Sequence, residues 1–458
     1  MAEPRTPSWG IEPVPPRLRV LGLLDHSLLW GNLGISLLVL VAGTYLVPGL
    51  SLPEALLAIA VGGVIGNAML GVAGLIGAQA GVPGMVLLRA PLGRRGSYVA
   101  TALNVAQNLG WATFELIVIA TAASALSQRA FGWSGKWLWT VVFGVATALF
   151  ALMGPISFVR QWVRRVAVWA VLASIAYLVW WTLDGAHLGT LWGRHGRGGV
   201  TFWQGVDLVV AMPVSWLPLI ADYTRFSRDP RSAFTGSAVG YFVPHVGLYA
   251  LGALLLLSRN LFDASAVVPA IAAGGAASAL ALFAPMVDET DEPFANVYST
   301  AVSVQNALPQ LQQRVLVVAA SAVATAGALA IELGNYLDFL YLLGSFFVPL
   351  FGVLVADWLL AGANYTRNDL FRGPAVRFGG IAAWLLGFAT YQWLQPTGPS
   401  WWTSLVGHAH LGSLDIGASV PSFLVAFVLG AAVGMLSRRI DSPRAAAGRR
   451  REPLARPR

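Results

Sequence analysis

The chain has 458 residues, 56% of them apolar and 11% charged, with a mean hydropathy of +0.66. A soluble domain carries about 25% charged residues, so this composition excludes an ordinary water-soluble fold and predicts an all-α integral membrane protein. The net charge of +8 would suit nucleic acid, but the cations lie in short segments between apolar runs, which excludes that partner and leaves anionic lipid headgroups as theirs. The absence of cysteine rules out disulfides, thiol catalysis and cysteine metal sites.

Residues 1–26, beginning "MAEPRTPSWGIEPVPPRLRV", contain no apolar core of the signal-peptide type and read as a cytoplasmic tail. Runs long enough to cross a bilayer, about 17–25 residues each, are predicted at 27–48, 53–80, 97–126, 136–157, 162–182, 204–224, 234–257, 267–304, 312–331, 336–360, 374–394 and 416–437. These make twelve spans, so both termini share one side. Of the 29 Lys and Arg residues, 24 fall on that side and 5 on the other. Positive charge marks the cytoplasmic face, which predicts cytoplasmic termini in a multi-pass cell (inner or plasma) membrane protein. The Gly-rich connection at 184–204 parts two sets of five spans, 27–190 and 191–361. Spans 11 and 12 (362–437) and a basic cytoplasmic tail (438–458) follow.

Two spans carry breaks at corresponding places, each the first of its set. Span 1 contains "WGNLGIS", where Gly31, Asn32, Gly34 and Ser36 interrupt the apolar run. Span 6 contains "MPVSWLP", with prolines on either side of Ser215 and Trp216. Proline removes an amide donor and clashes with the preceding turn. Inside a bilayer the freed backbone groups need protein, water or a bound solute, and paired broken helices point to a transport site. Gly34, Ser36, Ser215 and Trp216 are therefore candidate substrate contacts.

Span 3 adds a polar stripe in "NVAQNLGWATFE": Asn104, Asn108, Trp111 and Glu115 recur on one helical face. An amide, an indole and an acid in line could bind a flat, nitrogen-rich ring. In span 8, "MVDETDEPFANVYST" places Asp288, Glu289, Asp291, Glu292 and Asn296 within an arc of about 160° at ~100° per residue. An ionised acid at a helix centre costs about 2.5–3.5 kcal/mol, so this face is expected to line a wet, cation-accessible interior. The alternative is that Asp288 and Glu289 lie in an aqueous vestibule before the helix begins. Asp222 with Arg225, and Asp357, read as ion pairs or helix-end groups, and His26 as a satisfied interfacial histidine. An intramembrane enzyme would need a nucleophile–base pair or metal cluster at depth. His245 stands alone in span 7 and the other five histidines lie in tails, loops or interfaces, so no catalysis is expected.

The runs "WGNLGISLLVLVAGTYLVP", "GAQAGVPGMVLLRAPLGRRGSYVATALNVAQNLGW", "SWLPLIADYTRFSRD" and "FANVYSTAVSVQN" together resemble the nucleobase:cation symporter-1 family. The likeness is to its purine–cytosine permease branch, including hydroxymethylpyrimidine-transporter-like members. It implies a LeuT-type fold of five-plus-five inverted repeats followed by two C-terminal helices. It also implies import of cytosine, a purine or hydroxymethylpyrimidine, coupled to Na+ or H+ by alternating access, with no cofactor and no obligatory protein partner. Another small solute, such as a vitamin precursor or an amino acid, is the alternative. By this resemblance the base would lie between Trp111 and Trp216 and contact Glu115 and Asn296. A sodium ion would sit between backbone carbonyls around Gly31 to Gly34 and the positions of Thr290 and Asp291, the only metal expected. Asp291 stands where the family has a hydroxyl, and Glu115 where an amide is common. Glu115 is thereby expected to favour aminopyrimidines over oxo-rich rings.

Overall fold

The computed structural model describes residues 10–153, 168–333, 336–409 and 416–445. Among these residues the secondary structure is helical, with one isolated bridge between Leu21 and Ser227. Helices α1 (Leu23–Leu33) and α2 (Leu37–Thr44) meet at 57° and form span 1. Spans 2 and 3 are α3 (Leu52–Ala80) and α4 (Ser97–Phe131). Spans 4 and 5 are represented by α5 (Lys136–Met153) and α6 (Val168–Leu183); their expected ends at 154–157 and 162–167 lie outside the described residues. Helices α7 (Phe202–Ser215) and α8 (Ile220–Thr224) form span 6, and α9 (Pro230–Ser258) is span 7. Span 8 comprises α10 (Ala276–Asp288) and α11 (Asp291–Ala307). The last four spans are α12 (Gln313–Ala330), α13 (Tyr336–Leu360), α14 (Phe378–Leu394) and α15 (Ser419–Ala445).

Eight described helices are long and apolar enough to cross a membrane, counting α7–α8 as one, and nine with the α1–α2 pair. The remainder are short: 16 residues in α6, 13 and 17 in the two pieces of span 8, and 17 in α14. The single run expected at 267–304 is divided twice. Val267–Ala273 is a separate helix ending at Gly274, and Gly275 takes φ +129°, a conformation open to glycine. The second division falls at Glu289–Thr290, because Pro293 has no N–H for the Glu289 carbonyl. The Glu292 N–H takes that carbonyl instead, at 3.3 Å.

The helix ends follow local chemistry. Ser51 and Glu54 form a capping box that starts α3, and Gly81 in the left-handed region (φ +68°) ends it. Thr201 and Gln204 do the same at the start of α7. Small residues along α3 then let other helices approach closely, as membrane helix pairs require. A side chain at Gly66 would strike Pro213, and one at Gly77 would strike Ala221.

Packing sorts the spans into two groups. Spans 1, 2, 6 and 7 pack on one another, and so do spans 3, 4, 8 and 9. Span 10 lies against spans 6, 11 and 12. The N-terminal segment closes one end of the bundle: Val14 N–H donates to Gly81 O (2.9 Å), Arg19 Nε to Val14 O (3.0 Å), and Arg225 Nη1 to Gly10 O (2.9 Å).

Candidate functional site

The break in span 1 begins at Gly34, whose N–H still donates to Trp30 O at 3.0 Å. A Cβ there would lie 2.7 Å from Pro244 Cγ and 3.2 Å from Tyr241 O, so only glycine allows α9 this close. Ser36 is extended (φ −134°, ψ 141°) and caps α2, accepting the Leu38 N–H at 3.1 Å. Its hydroxyl donates to Glu289 Oε1 at 2.7 Å, while Glu289 Oε2 accepts the Leu37 N–H at 2.7 Å. A carboxylate from span 8 thus sits on the N-terminus of the second half of span 1, where backbone dipoles favour negative charge.

This arrangement divides the acidic arc, since part of it packs against span 1 rather than facing an open interior. Asp288 and Glu289 are buried, at 1% and 0% exposure, and neither occupies an aqueous vestibule. Helix geometry explains the difference, because the interruption at Glu289–Thr290 turns these acids toward span 1. Asp288 meets Asn32 there. Asp291 opens α11, and its side chain lies outside the described residues.

A small cavity of about 10 Å³, roughly the room of a single water, lies at the junction of the two packing groups. One side is formed by Ser36 of span 1 with Met212, Ser215 and Trp216 of span 6, and the other by Trp111 of span 3 with Glu292 and Asn296 of span 8. Ligand pockets usually hold ~300–1,000 Å³, so the walls must separate to admit a ring. Trp216 is fixed by a hydrogen bond from Nε1 to the Tyr241 hydroxyl (3.0 Å) and by edge contact with Trp30 at 5.6 Å. Trp111 packs edge-on against Tyr336 (5.8 Å) and Phe339 (5.4 Å). Asn296 Nδ2 donates to both Glu115 oxygens, at 3.0 and 3.2 Å, and to Glu292 O at 3.2 Å.

Of the expected substrate contacts, Trp111, Ser36, Ser215, Trp216 and Asn296 come together on this cavity. Glu115 is not on its wall; it stands behind Asn296, and its carboxyl meets that of Glu292 at hydrogen-bonding range. Asn108 is fully buried but also off the wall, because the cavity spans too little of α4 to reach the turn before Trp111. Gly34 shapes the packing against α9 rather than the wall. Among the expected cation contacts, Gly31 lies against the Gly240 carbonyl, and Thr290 Oγ1 donates to Val287 O at 2.8 Å. Among the described residues no group of three or more His, Asp or Glu side chains is arranged to hold a metal ion. The sequence reading placed Glu292 on a face expected to line the interior, though not among the substrate contacts; it missed Met212 as a lining residue and Glu289 as the tie to span 1. The acidic arc drew attention to both acids, whereas an apolar Met gives no sequence signal.

The other charged groups have local roles. Asp222 accepts the Gly84 N–H at 3.0 Å, and Arg225 Nε donates to the Asp222 carbonyl at 3.1 Å, a helix-end arrangement. Asp357 pairs with Arg377 at 3.3 Å. His26 departs from expectation: it is completely buried rather than interfacial, and neither ring nitrogen has a hydrogen-bond partner among the described residues.

Comparisons with known proteins agree with this layout. The chain is 26% identical over 355 residues to the cytosine permease of Escherichia coli (strain K12), covering 76% of this chain and 80% of the relative. It is 23% identical over 379 residues to the hydantoin permease of Microbacterium maritypicum, covering 78% and 77%. Among solved structures, Mhp1, a nucleobase-cation-symport-1 family transporter with bromovinylhydantoin bound, superposes with a TM-score of 0.78 at 20% identity, covering 94% of this chain and 96% of that one. The fold is that of the LeuT-type transporters, as the resemblance implies. The profile of the family described as "Permease for cytosine/purines, uracil, thiamine, allantoin" matches residues 13–396. With most of its length matched, the chain belongs to that permease family and is a membrane transporter, not an enzyme.

Proposed function

We propose that this permease imports a flat nitrogen heterocycle of the nucleobase type, such as cytosine, a purine or hydroxymethylpyrimidine, together with Na+ or H+. The observation that carries this reading is the cavity walled by Trp111 and Trp216 at the junction of the two packing groups, with Asn296 and Glu292 as polar wall. Two indoles supply flat apolar faces for a ring, and the polar side fixes its orientation. Separation of the two groups on one side and then the other gives alternating access. In this reading 27–190 and 191–361 are the two repeats, and 362–437 forms an outer pair of spans. The protein sits in the cell membrane with both termini cytoplasmic, as the distribution of 24 of 29 cations supports.

The coupling ion acts at the junction of spans 1 and 8, around Gly31, Gly34, Thr290 and Asp291. A ligand shifts a conformational equilibrium only through unequal affinity for the two states. Ion binding where span 8 meets the span-1 break would supply that difference, because it joins one packing group to the other. Uptake of labelled cytosine into proteoliposomes tests the reading, with an inward Na+ gradient, an inward H+ gradient, or neither imposed. Saturable uptake that one gradient accelerates is expected. Uptake that never saturates, or no response of uptake to either gradient, would overturn it.

A further inference from the structure

The hydrogen-bond donors and acceptors on the cavity wall are unevenly distributed. Both hydroxyl hydrogens are committed: Ser36 Oγ donates to Glu289, and Ser215 Oγ donates to Met212 O at 2.7 Å. The Trp216 N–H is used by Tyr241. The Asn296 amide hydrogens face Glu115 and the Glu292 carbonyl. That orientation is forced, since all these neighbours are oxygen acceptors. Asn296 Oδ1, the serine lone pairs and the Glu292 carboxyl are what the wall offers a solute. A hydrogen bond between the Glu115 and Glu292 carboxyls needs a shared proton and still leaves acceptor lone pairs. Among the described residues, no Lys, Arg or His lines the cavity. Among the lining side chains one indole N–H, Trp111 Nε1, has no partner among the described residues.

We infer that this site selects rings presenting N–H donors toward span 8, an amine-bearing pyrimidine or purine edge, over diketo rings such as uracil or hydantoin, and that Glu292 is the residue that discriminates. The inference rests on the transport reading and narrows its substrate class. An exocyclic amine and a ring N–H would meet Glu292 and Asn296 Oδ1, whereas the Trp111 N–H lies in the plane of its own indole and does not face a ring stacked on it. A diketo ring would set its carbonyls against oxygen lone pairs. A site built to bond one polar edge rejects rings that leave its own groups unpaired.

The test is competition by cytosine, adenine, uracil and hydantoin against radiolabelled cytosine on the purified full-length protein, repeated with Glu292→Gln. The parent should bind cytosine at least about tenfold more tightly than uracil, the effect of one buried mispaired group. Glu292→Gln turns one acceptor into a donor and should bring the ratio close to one, chiefly by weakening cytosine. Uracil or hydantoin binding the parent as tightly as cytosine overturns the inference while leaving nucleobase transport standing, and this comparison needs no variant to fold. An unchanged ratio in a folded Glu292→Gln protein removes Glu292 as the discriminating residue. Failure of every ring to bind defeats the transport reading and this inference with it.

Discussion

Replacing Glu289 by Ala removes the carboxylate that joins span 8 to the broken span 1. Two hydrogen bonds of 2.7 Å are lost, from the Ser36 hydroxyl and the Leu37 N–H, in a fully buried setting. Hydrogen bonds contribute about 0.5–1.5 kcal/mol each to a neutral carboxyl and about 1.5–3 kcal/mol to a charged one, so the variant should be destabilised by roughly 1–6 kcal/mol. Glu289→Gln is milder. Its oxygen can take the Leu37 N–H and its amide can donate to Ser36 Oγ, so both contacts are kept and the loss is at most any charge assistance, about 3 kcal/mol or less. Unfolding by SDS titration in mild detergent measures both. Pairing Glu289→Ala with Ser36→Ala in a double-mutant cycle should return a coupling of about 0.5–3 kcal/mol. A Glu289→Ala protein within ~0.5 kcal/mol of the parent, the range of a neutral surface change, would refute the reasoning. So would zero coupling to Ser36.

Trp111→Ala and Trp216→Ala should each weaken cytosine binding about tenfold or more, since stacking on an indole contributes ~1–3 kcal/mol per base; unchanged affinity in both would remove the indoles from the site. Arg225 of span 6 holds Gly10 O at 2.9 Å and the Tyr298 hydroxyl of span 8 at 3.3 Å, tying the two packing groups at one end. Because the chain has no native cysteine, a single Ser215→Cys reports access cleanly, and Arg225→Ala should raise its labelling by an impermeant maleimide from that end several-fold. Asp263 lies between spans 7 and 8, where the Ser265 hydroxyl and then the Ser265 and Ala266 N–H groups hold its carboxyl below the usual range. A depressed carboxyl contributes stability above its unfolded value of about 3.9 and loses it as pH falls through the folded one. Asp263→Asn should therefore melt below the parent at pH 7, and the gap should narrow below about pH 4.

Much of the architecture was legible because the bilayer imposes a simple rule on hydropathy, and each expected span has a described helical counterpart. The breaks were legible for the same reason: Gly34 with Ser36, and Pro213 with Pro218, are poor choices inside a continuous apolar helix. Trp111, Trp216 and Asn296 do meet at one cavity. Periodicity places a residue on a face without naming the neighbour that face will meet. Glu289 therefore read as one acid of an arc, although its partners Ser36 and Leu37 lie some 250 positions away. Glu115 and Asn108 share the Trp111 face, yet the cavity covers too short a length of α4 to include either. The helix of Val267–Ala273 merged with span 8 in the hydropathy pattern because Gly274 and Gly275 interrupt the chain without adding polarity.

The most direct test of the site is a structure of the protein with cytosine bound. The ring should lie between the Trp111 and Trp216 indoles, with its polar edge within hydrogen-bond distance of Asn296 or Glu292. A ring bound elsewhere, with the two indoles still packed as they are here, would contradict the account.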